Sequence, residues 1–177
     1  MTAESCTRTA PDETSGEVTS DAFRAVFRQH PAGVAVVALR DGDRPVGFTA
    51  TSVVSVSADP ALLTFSVAGT SSSWPALSRA RSLTISFLAA EQVDVSARFA
   101  TSGVDRFADV DWHWLPTGEP VLDDVPAWIR GDVVDRLAVG ASHLVVVHAR
   151  ETSRGRPGAP LVYHDRGYHA LDEGSAL

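Results

Sequence analysis

The sequence predicts a mainly β domain, an antiparallel barrel that is closed or partly open, with a few short peripheral helices. Three observations carry that expectation. Six or more segments of strand length are apolar on one or both faces. Turn-forming clusters such as Asp41-Gly42-Asp43 and Asp165-Arg166-Gly167 punctuate them. Helical periodicity is confined to brief stretches, which favours an all-β barrel over an alternating α/β fold.

The elements follow in order. A helix is expected over Asp21–His30, with Ser20 as its cap, Phe23, Val26, Phe27 and His30 at i, i+3, i+4 and i+7, and Pro31 as its stop. Gly33–Leu39 is apolar on both faces and reads as a buried strand. Val46–Ser57 reads as one long strand. If it carries no bulge, Phe48, Ala50, Val54 and Val56 face the core, while Thr49, Thr51, Ser55 and Ser57 form a row of small hydroxyls. Asp59-Pro60 breaks this run. Leu63, Phe65 and Val67 alternate inward on the next strand, and a Gly69–Ser73 loop leads to a short helix near Trp74-Pro75. Leu83, Ile85, Phe87 and Ala89 mark a fourth strand, and Glu91–Ala100 a helix. A loop holding Trp112, His113 and Trp114 precedes strands at about Ala127–Val139 and His143–Arg150. A terminal pair, Leu161–His164 and Tyr168–Leu171, flanks the last turn.

One domain accounts for the chain. At 177 residues it can bury a substantial core. Residues 1–19 and 172–177 carry few large apolar groups and are expected to be mobile tails around a domain spanning 20–171. A net charge of −7 and a pI near 5.2 argue against a nucleic-acid partner. No run approaches the roughly 20 apolar residues of a membrane span, and no basic-then-apolar leader is evident, so the cytoplasm is expected. The one cysteine, Cys6, excludes an internal disulfide and any cysteine-based metal cluster.

Chemistry-bearing motifs are sparse. His143 and His148 differ by five positions and face opposite sides of a regular strand. No H-E-x-x-H pair occurs, so no metal site is expected. G-x-S-x-G, G-x-G-x-x-G and the P-loop pattern are all absent. The segment Val46–Ser52 could let a phosphate-bearing cofactor approach the main chain, since its Ser and Thr side chains are small donors. Hydroxyls on an outer strand face are more often just solvated, and Gly69–Ser73 is more readily a plain turn.

The order of short pieces from Phe23 to Leu171 resembles the flavin reductase domain of two-component monooxygenase systems. Those pieces are Gly47-Phe48-Thr49-Ala50-Thr51-Ser52, Ser55-Val56-Ser57-Ala58-Asp59-Pro60, Ser71–Trp74, Arg98-Phe99-Ala100, Gly118–Leu122, Val139–His143 and Pro160–Tyr168. The resemblance implies an antiparallel split β-barrel of the Greek-key, FMN-binding type. It also implies an NAD(P)H:flavin oxidoreductase that moves a hydride from NADH or NADPH to FMN or FAD. Reduced flavin would then diffuse to a separate monooxygenase, and the working unit would be a homodimer with flavin in a groove at the subunit interface.

By the same resemblance, Phe48, Thr49, Ala50, Thr51 and Ser52 would line the flavin, and Ser55, Val56 and Ser57 would add ring or ribityl contacts. Ser71, Ser72, Ser73, Arg98 and Phe99 would hold the phosphate end, while His143, His164 and Tyr168 would position the nicotinamide. Ala141 stands where the family carries Asp, so no carboxylate is expected beside His143 at that position. Two other readings suit such a barrel: a flavin-binding electron carrier without dinucleotide oxidation, and a structural or regulatory barrel without a cofactor.

Overall fold

The computed structural model describes residues 17–175. Residues 1–16 and 176–177, and with them Cys6 and most of the expected tails, lie outside the described residues. Twelve strands and three α-helices follow one another. They are α1 (Ser20–Arg28), β1 (Ala32–Gly33), β2 (Ala35–Asp41), β3 (Arg44–Ala50), β4 (Val54–Ala58), β5 (Ala61–Ala68), α2 (Trp74–Leu77), β6 (Ser82–Phe87), α3 (Val93–Ala100), β7 (Trp112–Trp114), β8 (Pro120–Leu122), β9 (Ala127–Val139), β10 (Ser142–Arg154), β11 (Leu161–His164) and β12 (Gly167–Ala170).

Seven strands form one antiparallel sheet in the order β3-β2-β6-β9-β10-β5-β4. Its two edges, β3 and β4, are consecutive in the chain and joined only by Thr51-Ser52-Val53. Three residues reach about 10 Å, so the sheet must curl until its edges nearly meet. No ladder joins β3 to β4 among the described residues. Ser52 bridges the seam instead: its hydroxyl accepts the Ser66 N–H at 2.9 Å and donates to the Ser66 carbonyl at 3.1 Å. The result is a barrel with a split, the partly open form of the expected architecture.

The single strand expected over Val46–Ser57 is therefore two. The chain leaves β3 at Ala50 to cross the seam, and β4 then bulges at Val56, where Ser55 and Ser57 face consecutive residues of β5. Both effects reset the alternation. Phe48 and Ala50 are buried as expected, but Val54 and Val56 are 56% and 59% exposed.

The interior is filled from every wall. Val37 and Leu39 of β2, Phe48 of β3, Leu63 and Phe65 of β5, Ile85 of β6 and Val145 and Val147 of β10 pack together, plugged at one end by Leu77 of α2. The opposite face of β2 is equally apolar. Val34, Val36 and Ala38 pack under Phe99, Phe107, Leu122 and Leu161 in a second core outside the barrel. A strand covered on both faces is what the continuous apolar run predicted.

Several boundaries differ from the sequence expectation. Helix α1 begins at Ser20 because Thr19 is the cap, its hydroxyl accepting the Ala22 N–H at 3.2 Å. The helix buries no side chain, and Phe23, Val26 and Phe27 are all more than half exposed. The Trp112–Trp114 segment is a strand paired with β8, not a loop. Glu119, almost fully buried beside β8, is held by Arg130 at 3.0 Å, and Arg130 also reaches Asp132. Burial alone would raise the Glu119 carboxyl, but hydrogen bonds from Ser82, Thr117 and Arg130 outweigh it and hold the group below its ordinary value.

Candidate functional site

A cleft of about 400 Å³ opens where β3, the loop after β5 and the end of α3 converge. Phe48 and Thr49 line it from β3, Ser71 and Ser72 from the loop, and Phe99 and Ala100 from α3. The glycine at 47 makes this convergence possible. A Cβ there would lie 2.7 Å from the Phe99 ring and 3.1 Å from the Val37 carbonyl, so only glycine lets α3 seat against β3. Thr49 fastens the same joint by donating to the Ser96 carbonyl at 2.6 Å.

The three serines of the loop have different free valences. Ser73 is buried, donating to the Gly47 carbonyl and accepting from Arg106, so its hydroxyl is spent internally. Ser71 accepts the Ser73 N–H at 3.3 Å, and Ser72 accepts from Arg106 at 3.4 Å. Both keep their own O–H free to donate into the cleft.

Arg106 is the site residue that the sequence reading missed. Its Nε donates to the Thr101 carbonyl at 2.8 Å, and Nη1 donates to the Gly47 carbonyl at 2.8 Å and to Ser73 Oγ at 3.0 Å. Burial pushes its guanidinium below the ordinary value. A sequence signal was available, because Arg98-Phe99-Ala100 recurs as Arg106-Phe107-Ala108. The two phenylalanines pack edge to face at 4.9 Å in the outer core. The two arginines diverge: Arg98 reaches the Asp109 carboxylate at 3.5 Å and the Asp105 carbonyl at 3.4 Å, whereas Arg106 turns into the cleft.

The remaining expected residues are distributed around this centre. Ala50 faces the barrel interior, Thr51 is exposed and Ser52 is engaged across the seam. Ser55 and Val56 are exposed on the edge strand β4, with Ser57 half-buried. His143, on β10, stacks on Trp74 with ring centroids 3.6 Å apart, and its Nδ1 is buried without a hydrogen-bond partner. A Cβ at Gly69 would lie 3.1 Å from the Ala141 carbonyl and at ordinary van der Waals distance from the imidazole, so the backbone, not the ring, is what crowds that position. Tyr168, on β12, bonds Ser96 Oγ at 2.9 Å and packs edge to face with Tyr163. His164 ends β11 beside the left-handed Asp165-Arg166 turn, its ring 5.8 Å from that of His169. His143 lies on the seven-stranded sheet and His164 and Tyr168 on the three-stranded one, with no hydrogen bond or ring–ring contact joining them among the described residues.

The structure is thus a split barrel whose seam carries a cleft lined by hydroxyl and guanidinium donors. The chain belongs to the flavin reductase like domain family, whose model matches residues 27–172. It is 46% identical over 166 residues to an NADH:FMN oxidoreductase of Rhodococcus qingshengii, a match covering 90% of this chain and 86% of the relative. It is 30% identical to HsaB, the reductase subunit of a flavin-dependent monooxygenase in Mycobacterium tuberculosis, over 89% of this chain and 86% of that protein. The crystal structure of a flavin reductase domain protein from Arthrobacter sp. FB24 superposes with a TM-score of 0.83 at 36% identity, covering 87% of this chain and 96% of that one.

Proposed function

We propose that the chain is an NAD(P)H:flavin oxidoreductase, using NADH or NADPH to reduce FMN or FAD. The observation that carries this reading is the 400 Å³ cleft, with free Ser71 and Ser72 donors and a desolvated Arg106, in a chain of this family. The residues lining the cleft suit a flavin: an apolar floor at Phe48 and hydroxyl donors at one end from Ser71 and Ser72. When bound, flavin and nicotinamide supply the redox chemistry themselves, a hydride passing from nicotinamide C4 to flavin N5. The protein's share is to hold the two rings in register and exclude water. The test is spectroscopic: under anaerobic conditions NADH or NADPH should bleach the absorbance of flavin loaded on the protein. Retained colour would favour an electron carrier on the same barrel.

His164→Ala is expected to raise the KM for dinucleotide or lower kcat while flavin Kd stays nearly unchanged. His164 is fixed by β11 pairing and by the Asp165 N–H bonded to the Arg28 carbonyl at 3.1 Å, so its ring is presented from a rigid hairpin end. An equal loss of flavin binding would place the ring in the flavin pocket.

We infer further that the working unit is a two-fold homodimer acting in the cytoplasm. The support is apolar surface left bare on one chain: Val54 and Val56 on β4, Val134, Leu137 and Val139 on β9, and the α1 face. Light scattering should give about twice the 18.8 kDa of one chain. A fully active species of single-chain mass would refute the dimer. No described helix is long and apolar enough to cross a membrane. The expected recipient of reduced flavin is a separate monooxygenase, in keeping with the reductase-subunit name that HsaB carries.

A further inference from the structure

We propose that Trp74 is a positioning residue of the reductase: its ring stack fixes the plane of the His143 imidazole, and His143 in turn meets the incoming dinucleotide. This rests on the oxidoreductase reading above and adds a residue that acts through another side chain. The first ground is the place of His143. It is half-buried on β10, and the next residues on the same face of that strand, Val145 and Val147, are wholly buried in the barrel. Its ring therefore closes the barrel's end. Two buried side-chain polar atoms among the described residues lack a hydrogen-bond partner, and one of them is His143 Nδ1. That edge of the ring faces Gly69, whose neighbours Ala68 and Thr70 line the cleft. The imidazole thus borders the cleft without lining it, which suits the ligand that must approach the flavin rather than the flavin itself. The enclosure of Nδ1 leaves Nε2 as the nitrogen a ligand meets.

The second ground is what aims the ring. An imidazole that serves a ligand is ordinarily oriented by a hydrogen bond on its other nitrogen. Here that nitrogen has none, and Trp74 provides the orientation instead. The two rings stack with centroids 3.6 Å apart and planes 18° from parallel. No other ring pair among the described residues is closer than 4.6 Å or flatter than 36°. The indole can act as a template because α2 is pinned at both ends. The Trp74 N–H donates to the Ser71 carbonyl at 3.0 Å, and the Trp74 carbonyl accepts the Ser78 N–H at 2.8 Å. Arg136 of β9 donates to the Leu77 carbonyl at 3.0 Å and also to the Ala80 carbonyl. A ring held in advance loses less freedom when its ligand arrives, so the stack favours dinucleotide binding.

The experiment compares Trp74→Phe, which keeps an aromatic face, with Trp74→Leu, which fills the barrel end without one. His143→Ala and the double variant Trp74→Leu/His143→Ala complete a cycle. Calorimetry on the flavin-loaded proteins reads the affinity for NAD⁺ and NADP⁺, and fluorescence quenching reads flavin affinity. Trp74→Leu should weaken the preferred nucleotide roughly three- to tenfold, the worth of one ring–ring contact, with flavin Kd unchanged. Trp74→Phe should stay near the unmodified protein. In the His143→Ala background, Trp74→Leu should add no further loss. Proton NMR of the unmodified protein stands beside these: the His143 carbon-bound ring protons, lying over the indole, should resonate upfield of an ordinary histidine's. Additive losses in the double variant would overturn the positioning role, as would Leu and Phe variants that bind alike. A flavin loss as large as the nucleotide's would give Trp74 to the serine loop instead. Ring protons at ordinary positions would remove the stack. His143→Ala with unaltered nucleotide affinity would overturn the proposal while leaving the reductase reading intact. An unmodified protein that binds flavin but neither nucleotide would overturn both.

Discussion

NADH or NADPH is expected to disappear from solution only when flavin is added, at a rate that saturates with flavin and reaches on the order of 1–10³ s⁻¹ per chain. Without flavin the rate should not rise above background. The hydroxyls lining the cleft and the Arg106 guanidinium cannot themselves store electrons. Steady-state oxidation with FMN, FAD and riboflavin in turn checks this. Turnover with neither nucleotide under any of the three would sink the enzyme reading. If the reduced flavin then leaves, hydroxylation should also be supported across a dialysis membrane at low oxygen. Flavin that turns over without exchanging would favour the electron carrier.

Phe99→Ala is expected to be the most damaging single substitution near the site, at about 3–5 kcal/mol and roughly 10 °C in Tm. The ring is wholly buried, packs on Phe107 and fills the space that Gly47 leaves open. Its loss leaves a cavity in the outer core and loosens the end of α3, and with it the Thr101 carbonyl that fixes Arg106. Flavin affinity should therefore fall together with stability. Arg98→Ala, one residue earlier, should cost at most about 1 kcal/mol, because its ion pair with Asp109 is long and open to solvent. Thermal unfolding of both variants decides it. A Phe99→Ala protein that melts like its parent would show that the ring anchors nothing.

The same contrast explains what could be read without coordinates. Leu63, Phe65 and Val67 were legible as core because a regular strand alternates strictly, and β2 because its apolar run has no polar gap. Val54 and Val56 were misplaced because the seam crossing and the bulge are set by tertiary closure, which periodicity does not encode. Trp112–Trp114 concealed a strand for a related reason: three residues are too few to display a period. Arg106 stayed hidden because the sequence reading singled out Arg98-Phe99-Ala100 and passed over its recurrence. Nothing local distinguishes Arg98-Phe99-Ala100 from Arg106-Phe107-Ala108, and only the fold decides which guanidinium meets Asp109 and which meets the cleft.

Helix α1 has nine residues, no buried side chain, and a backbone tie to the β11–β12 turn through Arg28. A helix of that length is marginal in water by itself. Its backbone amides should accordingly exchange with deuterium almost as fast as those of an open chain wherever its apolar face is bare, and slowly wherever it is covered. Ser20–Arg28 is thus a built-in gauge of assembly. Exchange rates read across a dilution series would report when a partner leaves that face, with no label attached and no substitution made.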